Sequence, residues 1–321
     1  MAIDLTRKKI LITGGAGFLG SFVVERLIER GVKKENIKVP RSNDCDLRLW
    51  GNCLRAVEGS DIVIHLAANV GGIGYNMKFP AQLLYDNAIM GLQVMEAARQ
   101  KGVEKFVALG TVCGYPKFTP VPFRESDFWN GYPEETNAPY GIAKKLILVQ
   151  GQSYRKQYGF NAIYLIPVNL YGPRDHFHRE DAHVIPALIL KFFDAKNKGE
   201  KAVKAWGTGK VSREFLYVED AAEGIILATE RYDRKEPVNL GSGKEIIIRD
   251  MVYKIKDLVG YSGDVIWDTE KPDGQPRRML DTSRAKQEFG FEAKTSFEEG
   301  LLKTIDWYRE NLLSRIDPPV Y

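Results

Sequence analysis

Cysteine is scarce: the chain of 321 residues has three, Cys45, Cys53 and Cys113. They are too few and too irregularly placed for a disulfide framework or a cysteine-bound metal, so no metal is expected and a reducing compartment fits. No apolar run reaches the roughly 18 residues of a membrane-spanning helix. The stretch from Met1 to Lys9 has no apolar core of the kind a signal peptide needs. A cytoplasmic protein with no membrane partner is therefore expected. An excess of one charge is also missing. The net charge is +4 and the Lys and Arg residues are scattered, which gives nucleic acid no basic stripe but suits an anionic small molecule. Internal repeats and low-complexity segments are absent too. What remains is ordinary globular composition, 44% hydrophobic and 27% charged, long enough for one large or two modest domains.

Glycine, by contrast, is concentrated. Ile10, Leu11 and Ile12 suit a buried parallel strand, and glycines follow at 14, 15, 17 and 20. Beyond Gly17, the apolar residues Phe18, Leu19, Phe22, Val23 and Leu27 have helical spacing. A glycine turn between strand and helix lets the backbone approach a pyrophosphate, and the helix N-terminus presents free N–H groups to it. Gly14, Gly17, Phe18, Leu19 and Gly20 are thus candidate cofactor contacts; alone, the motif also fits an ordinary Gly-rich loop.

Further along, Asn36–Val39 reads as a second strand ending in Pro40-Arg41-Ser42. Where an acid would hold a ribose 2′-hydroxyl, Arg41 and Ser42 suit a 2′-phosphate and hence NADP(H); a solvated loop arginine is the alternative. Asp46 and Leu47 open a helical stretch near the expected adenine. Asp61–Leu66 is a third strand with His65 as a satisfied core histidine, and the small residue Ala67 at its end lets a cofactor lie close. Pro80–Gln100 reads as a helix and Phe106–Leu109 as a fourth strand, an alternation that specifies a doubly wound parallel α/β sheet with right-handed crossovers.

Past that strand lies Thr111, and later Tyr140 and Lys144 at i and i+4 on a helix running to Tyr158. On one helical face, an ammonium can lower a phenol from its usual pKa near 10 by about 1–3 units, while a hydroxyl such as Thr111 holds a carbonyl beside it. Asn161–Pro167 is a strand, and Asp181–Leu188 starts a helix continuing through Lys191. Trp206–Gly209 is a turn, Arg213–Tyr217 a strand and Val218–Glu230 a helix. Pro237–Leu240, helix Ile247–Val259, Pro272–Arg278 and helix Phe297–Asn311 complete the chain.

The glycine turn, Thr111 and Tyr140-x-x-x-Lys144 resemble the extended short-chain dehydrogenase/reductase family. The segments Leu109–Pro116, Asn169–Pro173, His183–Ala187, Arg213–Leu216 and Lys271–Arg277 are similar, within it, to the GDP-L-fucose synthases. The resemblance spans nearly the whole chain. It implies an enzyme that inverts C3 and C5 of GDP-4-keto-6-deoxymannose and reduces C4 with NADPH. Thr111, Tyr140 and Lys144 would serve the reduction; Cys113 and His183 would move the epimerisation protons. The resemblance also implies Leu109, Pro167, Asn169, Leu170, His183, Tyr140 and Lys144 as cofactor contacts. It implies Lys191, Trp206, Arg213 and Arg277 as contacts of the GDP-sugar; taken singly, these also read as solvated charges or a core tryptophan. A homodimer through the helices Pro80–Gln100 and Tyr140–Tyr158, with Ile147, Val149 and Tyr154 beyond the catalytic face, is implied as well.

Two positions depart from the family pattern. Threonine at 111 keeps the hydroxyl that serine supplies, whereas Gly114 replaces a bulkier residue, is expected to enlarge the pocket wall, and leaves a 3-deoxy or heptose sugar open. Rival readings are a GDP-mannose 3,5-epimerase or a UDP-hexose 4-epimerase with tightly held NAD, and a silent NADP(H)-binding module. Residues 1–169 with 213–240 are expected to form the nucleotide-binding domain, and 170–212 with 241–321 the domain for the nucleotide sugar.

Overall fold

The computed structural model describes residues 2–178, 182–271 and 273–313. Asp181 and Pro272, part of two segments read above, lie outside them. The apolar run at the start forms β1 (Ile10–Thr13), buried along its length, and Gly17 opens α1 (Phe18–Glu29), which buries Leu19, Phe22, Val23 and Leu27. β2 (Ile37–Lys38) is shorter than expected; among the described residues it lies at the sheet edge, paired with β1. The expected helix at Asp46 and Leu47 is corrected: α2 (Trp50–Val57) starts later, because the Asp46 carboxylate accepts the Arg48 backbone N–H and holds a turn there. β3 (Ile62–His65) leads to α3 (Ile73–Lys78), then α4 (Pro80–Gln100) and β4 (Lys105–Leu109). α5 (Ala138–Tyr158) takes Pro139 into its first turn, where the missing N–H costs nothing, and β5 (Ala162–Pro167) follows.

The second half alternates between the two parts of the molecule. β6 (Asn169–Tyr171) is a further short strand just beyond β5. Then come α6 (Val184–Lys198), β7 (Ala202–Trp206), β8 (Ser212–Tyr217), α7 (Val218–Arg231) and β9 (Val238–Leu240). The chain continues through β10 (Glu245–Ile247), α8 (Ile248–Val259), β11 (Asp264–Asp268), α9 (Ser283–Phe289) and α10 (Phe297–Tyr308), ending in one π turn. Trp206 therefore closes a strand; the turn begins at Gly207, whose φ of +78° suits glycine.

Among the described residues the main sheet has six parallel strands in the order β2-β1-β3-β4-β5-β9. This is the doubly wound α/β fold, with right-handed crossovers as its physical basis. β8 pairs with β6 and β10 in a separate three-stranded sheet, and β11 pairs with β7. Side chains alternate along β8, so Leu216 enters the main core while Phe215 and Tyr217 enter the second core. That one strand ties both cores together. α4 and α5 pack against each other so closely that a Cβ at Gly91 would lie 2.2 Å from the Ile147 side chain. Ile147 is thus core within its own chain, not a residue beyond the catalytic face.

Candidate active site

The carboxyl ends of the main strands open onto a cleft of about 1110 Å³ between the two parts. At its floor, Gly14 (φ +71°) brings the glycine turn against the end of β3, where a Cβ would lie 2.8 Å from the Ala67 nitrogen. A Cβ at Gly20 would fall 2.1 Å from the Gly14 carbonyl, so α1 reaches the turn only because position 20 lacks a side chain. Gly17 caps α1 without any side chain, which leaves the first-turn N–H groups facing the cleft. This is a cradle shaped for a pyrophosphate. Beside it, Arg41, Ser42, Asp46 and Leu47 line the cleft. The Asp46 carboxylate pairs with Arg48 at 2.8 Å, which holds it below the usual carboxylate range and occupies it.

His65 is buried below this floor. Its Nδ1 lies 2.8 Å from Thr13 Oγ1, but Nε2 has no partner among the described residues, so only half of the expected satisfaction is met. Burial, aided by the charge of Lys144, pushes its pKa down to about 3 and keeps the imidazole neutral.

Thr111, Cys113 and Tyr140 all line the cleft, as do Leu109, Pro167, Asn169 and Leu170. An extended backbone would be the simple way to put Thr111 and Cys113 on one side. Instead Val112–Gly114 is a 3-10 turn, and the Thr111 hydroxyl accepts the Cys113 backbone N–H at 3.2 Å. Lys144 lies beneath Tyr140 and does not line the cleft; its Nζ is 5.8 Å from the Tyr140 ring centroid. The expected depression of the phenol is corrected: burial, with Cys113 nearby, raises Tyr140 above its ordinary value. Burial lowers Lys144 to about 8, so desolvation outweighs the mutual attraction of the two groups. Tyr140 is consequently a neutral proton donor at physiological pH.

Gly114 is not a wall of the cleft, as had been expected. A Cβ there would lie 2.6 Å from the Phe128 ring, and at the neighbouring helix a Cβ on Gly141 would lie 2.5 Å from the Cys113 carbonyl. The two glycines let the Cys113 turn sit directly against α5. No extra sugar room follows from Gly114.

A model described as the NAD dependent epimerase/dehydratase family matches residues 10–241. The chain belongs to this family. It is 40% identical over 307 residues to GDP-L-fucose synthase 1 of Arabidopsis thaliana, covering 96% of this chain and 95% of that protein. It is similar in structure to a GDP-6-OMe-4-keto-L-xylo-heptose reductase of Campylobacter jejuni, with a TM-score of 0.89, 26% identity, and 96% of this chain and 99% of that one covered. A GDP-L-fucose synthetase of Naegleria fowleri bound to NADP superposes with a TM-score of 0.83, 29% identity and coverage of 97% and 96%.

On the far side of this epimerase/dehydratase cleft, His183 stands at the N-cap of α6, with Nδ1 3.9 Å from the Asp175 carboxylate. Arg213 donates to the Ser212 and Asp273 carbonyls at 2.7 and 3.0 Å. Burial and the adjacent Arg278 lower it to about 10, still charged at neutrality. Trp206 is 51% exposed, so it is no core tryptophan; Lys191 and Lys271 hold their ammonium groups 5.7 and 5.5 Å from its ring. Such a ring can carry a nucleobase, with the cations ready for phosphate.

Arg277 is the one substrate candidate that the structure removes. Its side chain is 61% exposed, pairs with Glu245 at 2.6 Å and does not reach the cleft, whereas its neighbour Arg278 is buried and lines it. Consecutive residues of an extended segment point to opposite sides, and the motif Pro276-Arg277-Arg278 does not say which side is inward. Sequence reasoning also missed Glu134 and Asn137. Glu134 accepts the Asn137 amide at 2.6 Å, and Asn137 Oδ1 lies 3.7 Å from Cys113 Sγ. Their position just ahead of Tyr140, at a helix start, was the available signal. Glu214 was missed as well. Fully buried, with a pKa pushed up to about 6 by desolvation, it accepts the Leu280 N–H at 2.6 Å and anchors the segment that carries Arg278.

Proposed function

We propose that this chain is a bifunctional GDP-sugar epimerase-reductase, which inverts C3 and C5 of GDP-4-keto-6-deoxymannose and then reduces C4 to give GDP-L-fucose. One observation carries this reading: Thr111, Cys113, Tyr140 and His183 line one cleft, so reductase and epimerase groups face a single ligand. Full-length likeness to GDP-L-fucose synthases supports it. NADPH, when bound, supplies hydride to C4. For their part, the Thr111 hydroxyl and the Tyr140 phenol hold the C4 oxygen, and Tyr140 delivers a proton to it. Those same hydrogen bonds stabilise the enolate when Cys113 and His183 exchange protons on opposite faces of the ring. Trp206, Lys191 and Arg213 would hold the GDP part.

The decisive assay mixes protein, GDP-4-keto-6-deoxymannose and NADPH. Stoichiometric NADPH oxidation with formation of GDP-L-fucose is expected. Inversion without oxidation would instead make the protein a 3,5-epimerase, and interconversion of UDP-hexoses would make it a 4-epimerase. A GDP-heptose substrate draws support from the likeness to the Campylobacter jejuni reductase, so a GDP-4-keto-heptose belongs in the same assay.

The expected division, 1–169 with 213–240 for the cofactor and 170–212 with 241–321 for the sugar, is corrected at two places: Phe215 and Tyr217 pack in the second core, and Leu280, Ala285, Phe289 and Phe291 pack in the main one. NADPH is expected to bind at least tenfold more tightly than NADH, because one charge-assisted contact from Arg41 to a 2′-phosphate is worth about the 1.4 kcal/mol that tenfold requires. Titration of both cofactors checks this; equal affinities would refute it, and Arg41→Ala should bring the two together. A homodimer through the exposed Leu84, Tyr85, Leu146 and Val149 of α4 and α5 is part of this reading, and light scattering at micromolar concentration should give twice the chain mass. A cytoplasmic location is supported by three free cysteines.

A further inference from the structure

The segment from Asp273 to Asp281 is fastened at both ends and in the middle. Arg213 donates to the Asp273 carbonyl, the Ser212 N–H to Pro276, the Phe123 N–H to Met279, and the Leu280 N–H to Glu214. This fastening aims two side chains inward. Gln275, 4% exposed, donates to the Lys117 carbonyl at 2.8 Å, in the loop that follows the Cys113 turn, and accepts Arg278 Nε at 3.1 Å. Arg278, 7% exposed, then places Nη1 3.8 Å from Cys113 Sγ. A guanidinium is thus buried at large cost and given to a sulfur rather than to a carboxylate. On the other side of the thiol stands the Asn137 carbonyl oxygen, held in that orientation by Glu134 and by the Asn76 amide at 3.2 Å.

We propose that Arg278 is a further catalytic residue, which stabilises the anionic sulfur of Cys113 during proton transfer, while Asn137 receives the S–H of the neutral form. This rests on the epimerase reading above. In the step, the thiolate takes the proton from the carbon next to the C4 ketone. The C–H bond breaks, S–H forms, and the electron pair moves to the C4 oxygen; a proton returns to the opposite face from His183. An N–H bond to a charged partner is about twice as strong as a neutral one, so the guanidinium favours the form of the sulfur that can accept a proton. Arg278 Nη2 has no partner among the described residues that would pull it from the cleft.

Two measurements test this with Arg278→Met and Arg278→Lys. Solvent-deuterium entry at C3 and C5 of GDP-4-keto-6-deoxymannose should fall about 10- to 100-fold in kcat for Arg278→Met, the range for losing one hydrogen bond to a charged group. KM and NADPH affinity should stay within about twofold, and Arg278→Lys, which keeps the charge but loses the Nε–H bond to Gln275, should recover part of the rate. A raised KM at unchanged kcat would overturn the proposal in favour of phosphate binding. Equal damage by Met and Lys would reduce Arg278 to a structural part. The second measurement needs no sugar: iodoacetamide alkylation of Cys113 at neutral pH, followed on its own peptide. Because the thiolate is the nucleophile, Arg278→Met should slow alkylation about tenfold and Arg278→Lys much less. Unchanged alkylation would overturn the proposal. A wild-type protein that exchanges no deuterium would instead sink the epimerase reading, and alkylation would still decide the role of Arg278.

Discussion

Replacing Tyr140 by Phe is expected to remove C4 reduction while leaving C3 and C5 exchange largely in place. The phenol stands in the cleft beside Thr111 and Cys113, and burial keeps it protonated at neutral pH. A buried neutral donor is what an oxygen gaining negative charge at C4 requires. General-acid catalysis contributes about 10²–10⁴-fold, and the loss of NADPH oxidation should fall in that range. The exchange reaction keeps the Thr111 hydroxyl on the same oxygen, so it should lose no more than about tenfold. Lys144 remains beneath the ring in this variant and its packing is untouched. Following NADPH absorbance and deuterium content in parallel separates the two steps. Equal loss of both would show that the phenol serves enolate formation as much as reduction.

The complementary result is expected from Cys113. Cys113→Ser should abolish or severely slow deuterium entry at both carbons, because the anion takes the proton and a serine hydroxyl ionises far less readily than a thiol beside the Arg278 guanidinium. NADPH should bind as before, since the glycine cradle and Arg41 are untouched by the substitution. His183→Asn should likewise cripple inversion, as the epimerase reading gives the proton for the opposite face to this imidazole, which lines the same cleft at the start of α6. Mass spectrometry of the sugar after incubation in deuterium oxide reads both variants. If Cys113→Ser exchanged both positions at the wild-type rate, Cys113 would not be the base.

Much of the site was legible because local chemistry dictates local structure. An apolar triplet followed by glycines at 14, 17 and 20 can form a strand, a tight turn and a helix that reaches the turn, and the structure shows each contact a side chain would have blocked. Tyr140 and Lys144 share a helix face by periodicity alone. The helix Pro80–Gln100 has the bounds its apolar spacing and its proline imply. Other segments were opaque. The strand Asn169–Tyr171 has few residues and pairs with Ser212–Tyr217 far along the chain, a partner no local pattern names.

What the sequence determined by itself was therefore most of the order of elements, the glycine cradle and the shared helix face of Tyr140 and Lys144, since each depends on neighbours within a few residues. What only the tertiary structure decided was how those groups face one another and which charges join them. Desolvation set the direction of Tyr140 against the pull expected from Lys144, because burial depends on everything packed around a group. Gly114 met the Phe128 ring instead of opening the cleft. Arg277 turned to solvent and Arg278 to Cys113, a choice made by the bonds that fasten their segment across both cores at Phe123, Ser212 and Glu214. Those partners are separated from the arginines by many residues of chain, and only folding brings them within hydrogen-bond reach.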